Sequence, residues 1–244
     1  MDKYLLEARL DDAIKSAYNT VKYIGFLDPA QAKFLQEKTR YDKSANFMFW
    51  GGFEDAERLV LAVSVSDVED ANEFPITAIT IKFRKEDVLS HRDFLGCFMS
   101  LGVDRTCIGD ILVEVSRAVV FVKSELCDYF INSLTKIGKV GIKCSVGAEY
   151  PLPIAHSFKD LSGVVASQRA DCVLAFLLKT SREKAAQAIK SGIVMCNYEQ
   201  INSVSQKIND NDKIAVKGTG KFLVTEFGSL TKKNRITIRC KKYI

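Results

Sequence analysis

Residues 169–197 read RADCVLAFLLKTSREKAAQAIKSGIVMCN and contain the most informative local signals in the chain. Apolar side chains at positions 173, 174, 176 and 177 predict a short helix over Asp171–Lys179. Ser181 is a favourable N-cap for a second helix, Arg182–Ser191, because its hydroxyl can accept a hydrogen bond from the first turn. Gly192 follows where a helix ends in the left-handed conformation, which glycine adopts at little cost.

The residues after this pair of helices predict a small twisted sheet. A short strand, Ile193–Cys196, leads to a turn at Asn197. Two more strands, Asp212–Lys217 and Lys221–Glu226, flank a Gly218-Thr219-Gly220 turn. The last strand, 235–241, alternates so that its basic residues share one face; these are Arg235, Arg239 and Lys241.

Positive charge is concentrated in the same third of the chain. Residues 165–244 contain 15 lysines and arginines against 6 acidic residues, a net charge of +9, whereas the first 164 residues have 20 against 24, a net charge of −4. Such asymmetry indicates a polyanionic partner, either nucleic acid or an anionic membrane surface. A membrane-surface adaptor needs a lysine-rich amphipathic helix with exposed Trp or Phe, and the sequence contains none.

The composition excludes several classes of protein. With 47% hydrophobic and 27% charged residues among 244, the chain is neither fibrous nor largely disordered. No apolar run approaches the roughly 18 residues of a membrane span, and the charged N-terminus is unlike a signal peptide. Seven cysteines without a CxxC pair, and only His91 and His156 as imidazoles, give no zinc site of the usual spacing. We expect a cytoplasmic protein with reduced thiols and no cofactor.

Prolines and charge divide the chain into parts. Pro75 marks a boundary, and Tyr150-Pro151-Leu152-Pro153 precedes the change of charge. We therefore predict an α+β protein with an N-terminal α+β domain, a ferredoxin-like middle domain, a linker and a basic C-terminal domain. The predicted bounds are 1–74, 75–150, 151–164 and 165–244.

The first predicted domain contains helices followed by strands. An N-terminal helix and a helix starting at Asp28-Pro29 precede strands at 47–50 and 60–65. Aromatic residues cluster near the first strand, namely Phe47, Phe49, Trp50 and Phe53. Because no lysine or arginine is interleaved with them, core packing is favoured over base stacking.

The middle part has the order β-α-β-β-α-β, which RNA-recognition motifs also use. Its predicted elements are a strand at 76–83, a helix at 86–101, strands at 110–115 and 117–123, a helix at 124–136 and a strand at 139–146. RNA-recognition motifs stack bases on aromatics of two central strands. Those strands contain only Phe83 and Phe121 here, which favours a scaffold or protein-docking role.

The order and residues of the C-terminal part resemble the S4 RNA-binding domain. The matching residues are Arg169-Ala170-Asp171, Leu174, Ser181-Arg182-Glu183-Lys184-Ala185, Ile189-Lys190-Ser191-Gly192-Ile193-Val194, Asn197, Val204 and Asp212-Lys213-Ile214. Tyr198 stands where glycine usually follows the asparagine, and Ala170 replaces a common leucine. The resemblance implies a surface that binds the phosphates of folded RNA.

The predicted RNA-binding residues follow from this resemblance and from helix electrostatics. The N-terminus of the second helix, beside Arg182, is a natural phosphate site, and Arg169 can contact a phosphate through two N–H groups. Lysines would add diffuse backbone contacts. The full set is Arg169, Ser181, Arg182, Lys184, Lys190, Asn197, Lys217 and Lys221.

The whole chain resembles the bacterial YlmH family. The middle part adds Leu101-Gly102-Val103-Asp104-Arg105, Ile108-Gly109-Asp110-Ile111 and Ile137-Gly138-Lys139-Val140. Asp104 stands where a lysine is common in that family. The resemblance implies an RNA-binding protein, with rRNA and tRNA as partners, on a large ribosomal subunit carrying stalled peptidyl-tRNA in ribosome-associated quality control. Members are also connected with cell division, and no small-molecule substrate is expected.

An RNA-modifying enzyme is the alternative, because S4 domains are often attached to enzymes. Arg9-Leu10-Asp11 matches the core of a pseudouridine synthase motif but lacks the preceding glycine. Lys217-Gly218-Thr219-Gly220-Lys221 resembles half of a P-loop, but Phe222 follows instead of Ser or Thr, which favours a hairpin turn. Asp110 and Glu114 on one strand are most simply a solvent face. We expect a non-catalytic protein.

Overall fold

The structure is a computed structural model that describes residues 3–18, 20–66, 70–154 and 158–243. The chain divides into two compact units, Met1–Ala155 and His156–Ile244. His156, one of the two histidines, lies outside the described residues. Within the described ranges, no helix is long and apolar enough to cross a membrane.

The first unit begins with two helices on a three-stranded sheet. The elements are α1 (Lys3–Ser16), β1 (Lys22–Leu27), α2 (Pro29–Thr39), β2 (Asn46–Trp50) and β3 (Leu59–Ser64). The strands are antiparallel in the order β1-β3-β2. The predicted start of α2 is confirmed, because Asp28 accepts a hydrogen bond from the Gln31 N–H at 2.9 Å and the Gln31 side chain accepts one from the Asp28 N–H at 2.9 Å.

A four-stranded sheet follows in the same unit. Its segment contains β4 (Ile76–Lys82), α3 (His91–Ser100), β5 (Ile108–Glu114), β6 (Arg117–Lys123), α4 (Cys127–Ser133), β7 (Lys136–Ile137), β8 (Val140–Gly141) and β9 (Lys143–Val146). The sheet is antiparallel in the order β5-β6-β4-β9, so β4 and β6 are the central strands, and β7 pairs with β8 separately. The main elements thus follow one another as β-α-β-β-α-β.

One face of this sheet is covered by α3 and α4. Phe94, Phe98 and Phe130 are fully buried in a cluster with Ile79 and Ile81 of β4. The helix predicted over 86–101 begins only at His91. The Asp93 carboxylate accepts hydrogen bonds from the Ser90 N–H at 2.7 Å and the Ser90 hydroxyl at 2.6 Å, which fixes the helix start there.

The opposite face of the sheet is covered by the N-terminal residues. Phe121 of β6 is 3% exposed and shares a buried cluster with Phe26 and Val60 of the first sheet. Its ring stacks on that of Phe53, with the ring centroids 5.0 Å apart. Residues 1–74 and 75–150, expected to be separate domains, therefore share a core. The interpretation of the aromatics at 47–53 as packing residues is confirmed, since all four pack against buried clusters.

The second unit is a six-stranded antiparallel sheet with two helices. Its elements are β10 (Phe158–Val165), α5 (Ala170–Leu177), α6 (Arg182–Lys190), β11 (Val194–Cys196), β12 (Glu199–Gln200), β13 (Lys213–Val216), β14 (Gly220–Leu230) and β15 (Ile236–Tyr243). The strand order is β10-β15-β14-β13-β11-β12. Both helices pack on one face, where apolar residues of α5 and α6 form a single core with inward residues of the strands. Gly192 ends α6 with φ +73°, as predicted.

The prediction of a linker over residues 151–164 is wrong for its second half. Residues 158–164 belong to β10, which pairs with β15 continuously from Phe158↔Tyr243 to Val165↔Ile236. The prolines that suggested a linker, Pro151 and Pro153, precede this strand, and residues 155–157 lie outside the described residues. The paired residues are 71 to 85 positions apart in the chain, so local sequence signals did not reveal the pairing.

Substitution of Phe121 tests whether the sheet face is covered. Phe121→Ala is expected to lower the free energy of unfolding by about 3–5 kcal/mol, because it removes a buried aromatic ring and leaves a cavity. Urea unfolding followed by circular dichroism measures this change. Tyr41→Ala, at an 80% exposed position of the same unit, is the control and should change the value by no more than about 0.5 kcal/mol. Equal stability of Phe121→Ala and the unaltered protein would contradict a covered face.

Candidate nucleic-acid interface

The start of α6 contains three of the predicted RNA-binding residues. Ser181 is the N-cap, with an extended backbone, and its Oγ accepts a hydrogen bond from the Lys184 N–H at 3.3 Å. Ser181, Arg182 and Lys184 are all exposed. Because the first N–H groups of a helix have no partner within it and lie at the positive end of its dipole, this position suits a phosphate.

A buried carboxylate connects this helix start to the start of α5. Arg169, the residue that precedes α5, places Nε 3.1 Å from Asp171 Oδ1 and Nη2 3.4 Å from Oδ2. Arg182 donates from Nη2 to Asp171 Oδ2 at 2.7 Å. The Asp171 side chain is 8% exposed, whereas those of Arg169 and Arg182 are 41% and 54% exposed. We call these three residues the Arg–Asp–Arg cluster.

The charge of the cluster is fixed at neutral pH. Burial acts to raise the pKa of the Asp171 carboxyl, but hydrogen bonds from Arg182 and Arg169 and their positive charges outweigh it and lower the pKa to about 2. The hydrogen bond to Asp171 in turn raises the pKa of Arg182. One carboxylate and two guanidinium groups therefore leave a net charge of +1 at the surface.

The cluster changes how the two arginines can meet RNA. The sequence predicts that Arg169 contacts a phosphate through two N–H groups, but its Nε and Nη2 are directed at Asp171. Arg182 uses Nη2 alone. Nη1 of both arginines and Nε of Arg182 are not used in the hydrogen bonds to Asp171. These N–H groups remain for a phosphate.

Lys207 is a basic neighbour of the cluster that the sequence did not single out. Its backbone forms an isolated antiparallel bridge with Arg169, and its side chain is exposed. The surrounding loop is held by hydrogen bonds from the Ala170 N–H to the Gln206 carbonyl at 2.8 Å and from the Ile208 N–H to the Gln168 carbonyl at 2.8 Å. Nothing local marks Lys207 as a site residue, because the bridge connects residues 38 positions apart.

The remaining predicted lysines lie away from the cluster. Lys190 ends α6, a helix of nine residues and hence about 13 Å long. The Lys217 N–H donates to the Ile193 carbonyl at 3.0 Å, so the exposed turn between Lys217 and Lys221 lies beside the segment that follows α6. Ser181, Arg182 and Lys184 therefore lie at the start of α6, whereas Lys190 and Lys217 lie toward its end. Lys221 lies in β14, which pairs with β13 across this turn, so the half P-loop is a hairpin turn, as predicted.

Asn197 has a structural role. Its Nδ2 donates to Asp212 Oδ1 at 2.7 Å, and its Oδ1 accepts from the Lys213 N–H at 2.9 Å. Its φ is +48°, and that of Tyr198, which replaces the usual glycine, is +69°. Both ends of the amide are thus used to hold the β11–β12 turn against β13. Any effect of Asn197 on RNA would pass through this turn.

The residues that suggested catalysis are dispersed. Asp11 of the Arg9-Leu10-Asp11 motif is exposed on α1, next to the buried Leu10. Asp110 is not on a solvent face, as the sequence suggested, but half-buried, where it accepts hydrogen bonds from the Glu57 N–H at 2.6 Å and the Arg58 N–H at 3.3 Å. Among the residues with described positions, no cluster of His, Cys, Asp or Glu is arranged to hold a metal ion.

Comparison with known proteins shows similarity at the level of sequence and of fold. A family model described as "Putative RNA-binding domain in YlmH" matches residues 70–148. Ribosome-associated protein quality control protein P2 of Bacillus subtilis (strain 168) is 27% identical over 219 residues, covering 88% of this chain and 84% of that protein. The solved structure of cell division protein ylmH from Streptococcus pneumoniae matches with a TM-score of 0.50 and 21% identity, over 59% of this chain and 87% of that chain. The structural match concerns the mixed α/β fold.

The Arg–Asp–Arg cluster predicts a pH dependence of stability. The pKa of Asp171 is about 2 in the folded protein and near 3.9 in an unfolded chain, so its stabilising effect is complete above about pH 4 and is lost as pH falls toward 2. Asp171→Asn should lower the free energy of unfolding by about 1.5–3 kcal/mol at pH 7, the usual contribution of hydrogen bonds to a charged group. Urea unfolding at several pH values measures both effects. A difference between the two proteins that stayed constant from pH 7 to pH 2 would contradict this assignment.

Proposed function

Because these similarities confirm that the chain is related to the YlmH family, we propose that it is a non-catalytic RNA-binding protein that acts on the ribosome. The observation that supports this most is the surface of the second unit. There, two half-exposed arginines are anchored at the start of α6, within a segment of net charge +9. A fixed cationic group beside a helix N-terminus is suited to RNA phosphates.

In this proposal the second unit is an S4 domain that binds structured RNA. Arg169, Arg182, Lys184 and the N-cap Ser181 contact phosphates at the start of α6. Lys190 and Lys217 add contacts toward its other end, and Lys221 adds one from β14. Phosphate contacts position a protein without reading the bases, so the shape of a folded rRNA or tRNA would be recognised. Asn197 would act only by holding its turn.

The first unit is proposed to position the second. Its residues 75–150 would be an RRM-like, ferredoxin-like domain. The face of its sheet opposite α3 and α4 is packed against the N-terminal residues. Since Phe121 is 3% exposed and stacked on Phe53, that face has no free aromatic platform in this conformation. If residues 70–148 contact RNA, as the description of the family model suggests, the contact would use other surfaces of the unit.

The ribosomal setting is proposed from the name of the B. subtilis relative, which refers to ribosome-associated protein quality control. We propose that this chain binds, in the cytoplasm, a large ribosomal subunit that carries stalled peptidyl-tRNA, without a cofactor, a small-molecule substrate or a membrane. Sedimentation of cell lysate through a sucrose gradient tests this. Co-migration with large-subunit particles is expected, and migration as free protein at low salt would contradict it.

The salt dependence of RNA binding tests the role of the arginines. Arg182→Ala and Arg169→Ala should each weaken binding to unrelated structured RNAs alike. Each should also reduce the slope of log K against log salt by about one, because one phosphate contact is lost. Fluorescence anisotropy with a labelled tRNA transcript at several salt concentrations measures the slope.

Two further variants separate phosphate contact from a merely structural effect. Arg40→Ala, at an exposed position of the first unit, removes the same charge and should leave the slope unchanged. Arg182→Lys keeps the charge and should largely keep the slope, although a lysine cannot reproduce the guanidinium geometry toward Asp171. An unaltered slope in Arg182→Ala would reject the proposed site.

A further inference from the structure

The sheet of the second unit has a second face, opposite α5 and α6, that combines aromatic rings with lysines. Strand alternation directs Ile214, Phe222 and Cys240 into the core beneath the helices. Their neighbours in the strands, among them Lys213, Lys221 and Lys241, are therefore directed to the other side. We call this side the outer sheet face.

One aromatic site of the outer sheet face lies where β10 meets β15. Phe158 pairs with Tyr243 across the two strands, and their rings make an edge contact with centroids 4.8 Å apart. The Lys241 Nζ lies 5.4 Å from the centroid of the Phe158 ring. Phe158 is 38% exposed, so an aromatic ring remains accessible beside a cation.

A second aromatic site lies near the other edge of the same face. Tyr198 adopts φ +69°, a backbone conformation that residues other than glycine rarely adopt. A tyrosine at this position therefore has an energetic cost. The Lys213 Nζ lies 3.4 Å from the Tyr198 hydroxyl and 6.0 Å from the centroid of its ring. This site repeats the pairing of an aromatic ring with a lysine.

The register of the strands connects the two sites. Lys213 pairs with Leu223, and Leu223 pairs with Lys241, so these residues form one row across the face. Acidic residues also reach it, since Asp160 pairs with Lys241 and Glu226 binds Arg239 at 3.3 Å. With Lys221 included, four basic residues lie on or beside this row, next to the two aromatic sites.

We propose that the outer sheet face binds a single-stranded segment of RNA, with bases stacked on Tyr198 and on the Phe158–Tyr243 pair and phosphates near the lysines. The inference rests on the proposed function and extends it from the phosphates of folded RNA to unpaired bases. Aromatic rings interleaved with cations are the pattern of sequence-tolerant single-strand binding. From β15 to β11 there are three strand spacings, about 15 Å, which corresponds to about four or five stacked nucleotides.

Two probe RNAs test the proposal with the full-length protein. The first is an oligouridine of about ten nucleotides, within the usual site size of single-strand-binding domains. The second has the same length but abasic residues at its centre, so that it keeps the phosphates and lacks the bases. The protein is expected to bind the first about tenfold more tightly by fluorescence anisotropy, because stacking needs bases. Equal affinity for the two would overturn the proposal.

Two substitutions locate the stacking. Tyr198→Gly removes the ring and places glycine where φ is +69°, so a loss of affinity cannot come from local strain. Tyr243→Leu keeps an apolar side chain without the ring. Each should weaken oligouridine binding about tenfold and leave binding to the abasic probe unchanged. Tyr18→Ala, at a 77% exposed position of the first unit, is the control and should change neither.

A tRNA transcript, bound in parallel, separates this proposal from the proposed function. If Tyr198→Gly and Tyr243→Leu bind tRNA normally and oligouridine weakly, the outer sheet face is supported. Normal binding of both RNAs by both variants would overturn this inference alone. Failure of the unaltered protein to bind any of the RNAs would overturn the proposed function as well. If Tyr243→Leu loses tRNA binding through misfolding, Tyr198→Gly decides the result.

Discussion

The basic surface of the second unit depends on the ionised carboxylate of Asp171. Two guanidinium groups close together would repel each other, and a buried carboxylate without a partner would be costly. Held together, the three groups compensate one another, and the pKa of Asp171 falls to about 2. The starts of α5 and α6 are thereby joined, and Arg169 and Arg182 are kept half-exposed at fixed positions. A phosphate would meet cations whose conformational freedom is already restricted.

In the first unit the side chains at the centre of the structure are buried aromatic rings, in contrast to the half-exposed arginines of the second unit. The aromatic residues Phe26, Phe53 and Phe121 pack one of its sheets against the other, and the ring of Phe121 stacks on that of Phe53. Gly52 and Gly109 are placed so that a Cβ would lie 2.3 Å from Phe121 and 2.6 Å from Phe26, which shows how closely the chain passes these rings. Both faces of the four-stranded sheet are thus covered, and the ring of Phe121 is not exposed for stacking.

The two proposals give the two faces of the second unit different tasks. The helix side holds cations at the ends of α6, where phosphates of folded RNA would bind. The outer sheet face holds rings next to lysines, where unpaired bases would stack. Because the helices and the outer face are separated by one sheet and its core, substitutions on one side need not disturb the other. The backbone of Tyr198 adopts φ +69°, and the strain of this conformation is the local cost of placing a ring there.

Local signals in the sequence were sufficient for much of this description. The N-caps Asp28 and Ser181, the left-handed Gly192, the turn at 218–220 and the order of elements at 76–146 depend on residues within a few positions of each other. The concentration of basic residues after position 165 is likewise a property of sequence alone. Only the tertiary structure decided which residues each of these elements packs against or binds. The pairing of β10 with the C-terminal strand, the covered ring of Phe121 and the neighbouring Lys207 all join positions distant in the chain. The Asp171 carboxylate joins Arg169 and Arg182 over a shorter separation, but the contact depends on how the starts of α5 and α6 pack together. Periodicity shows which face of an element is apolar or charged, but the partner of that face is set by long-range packing.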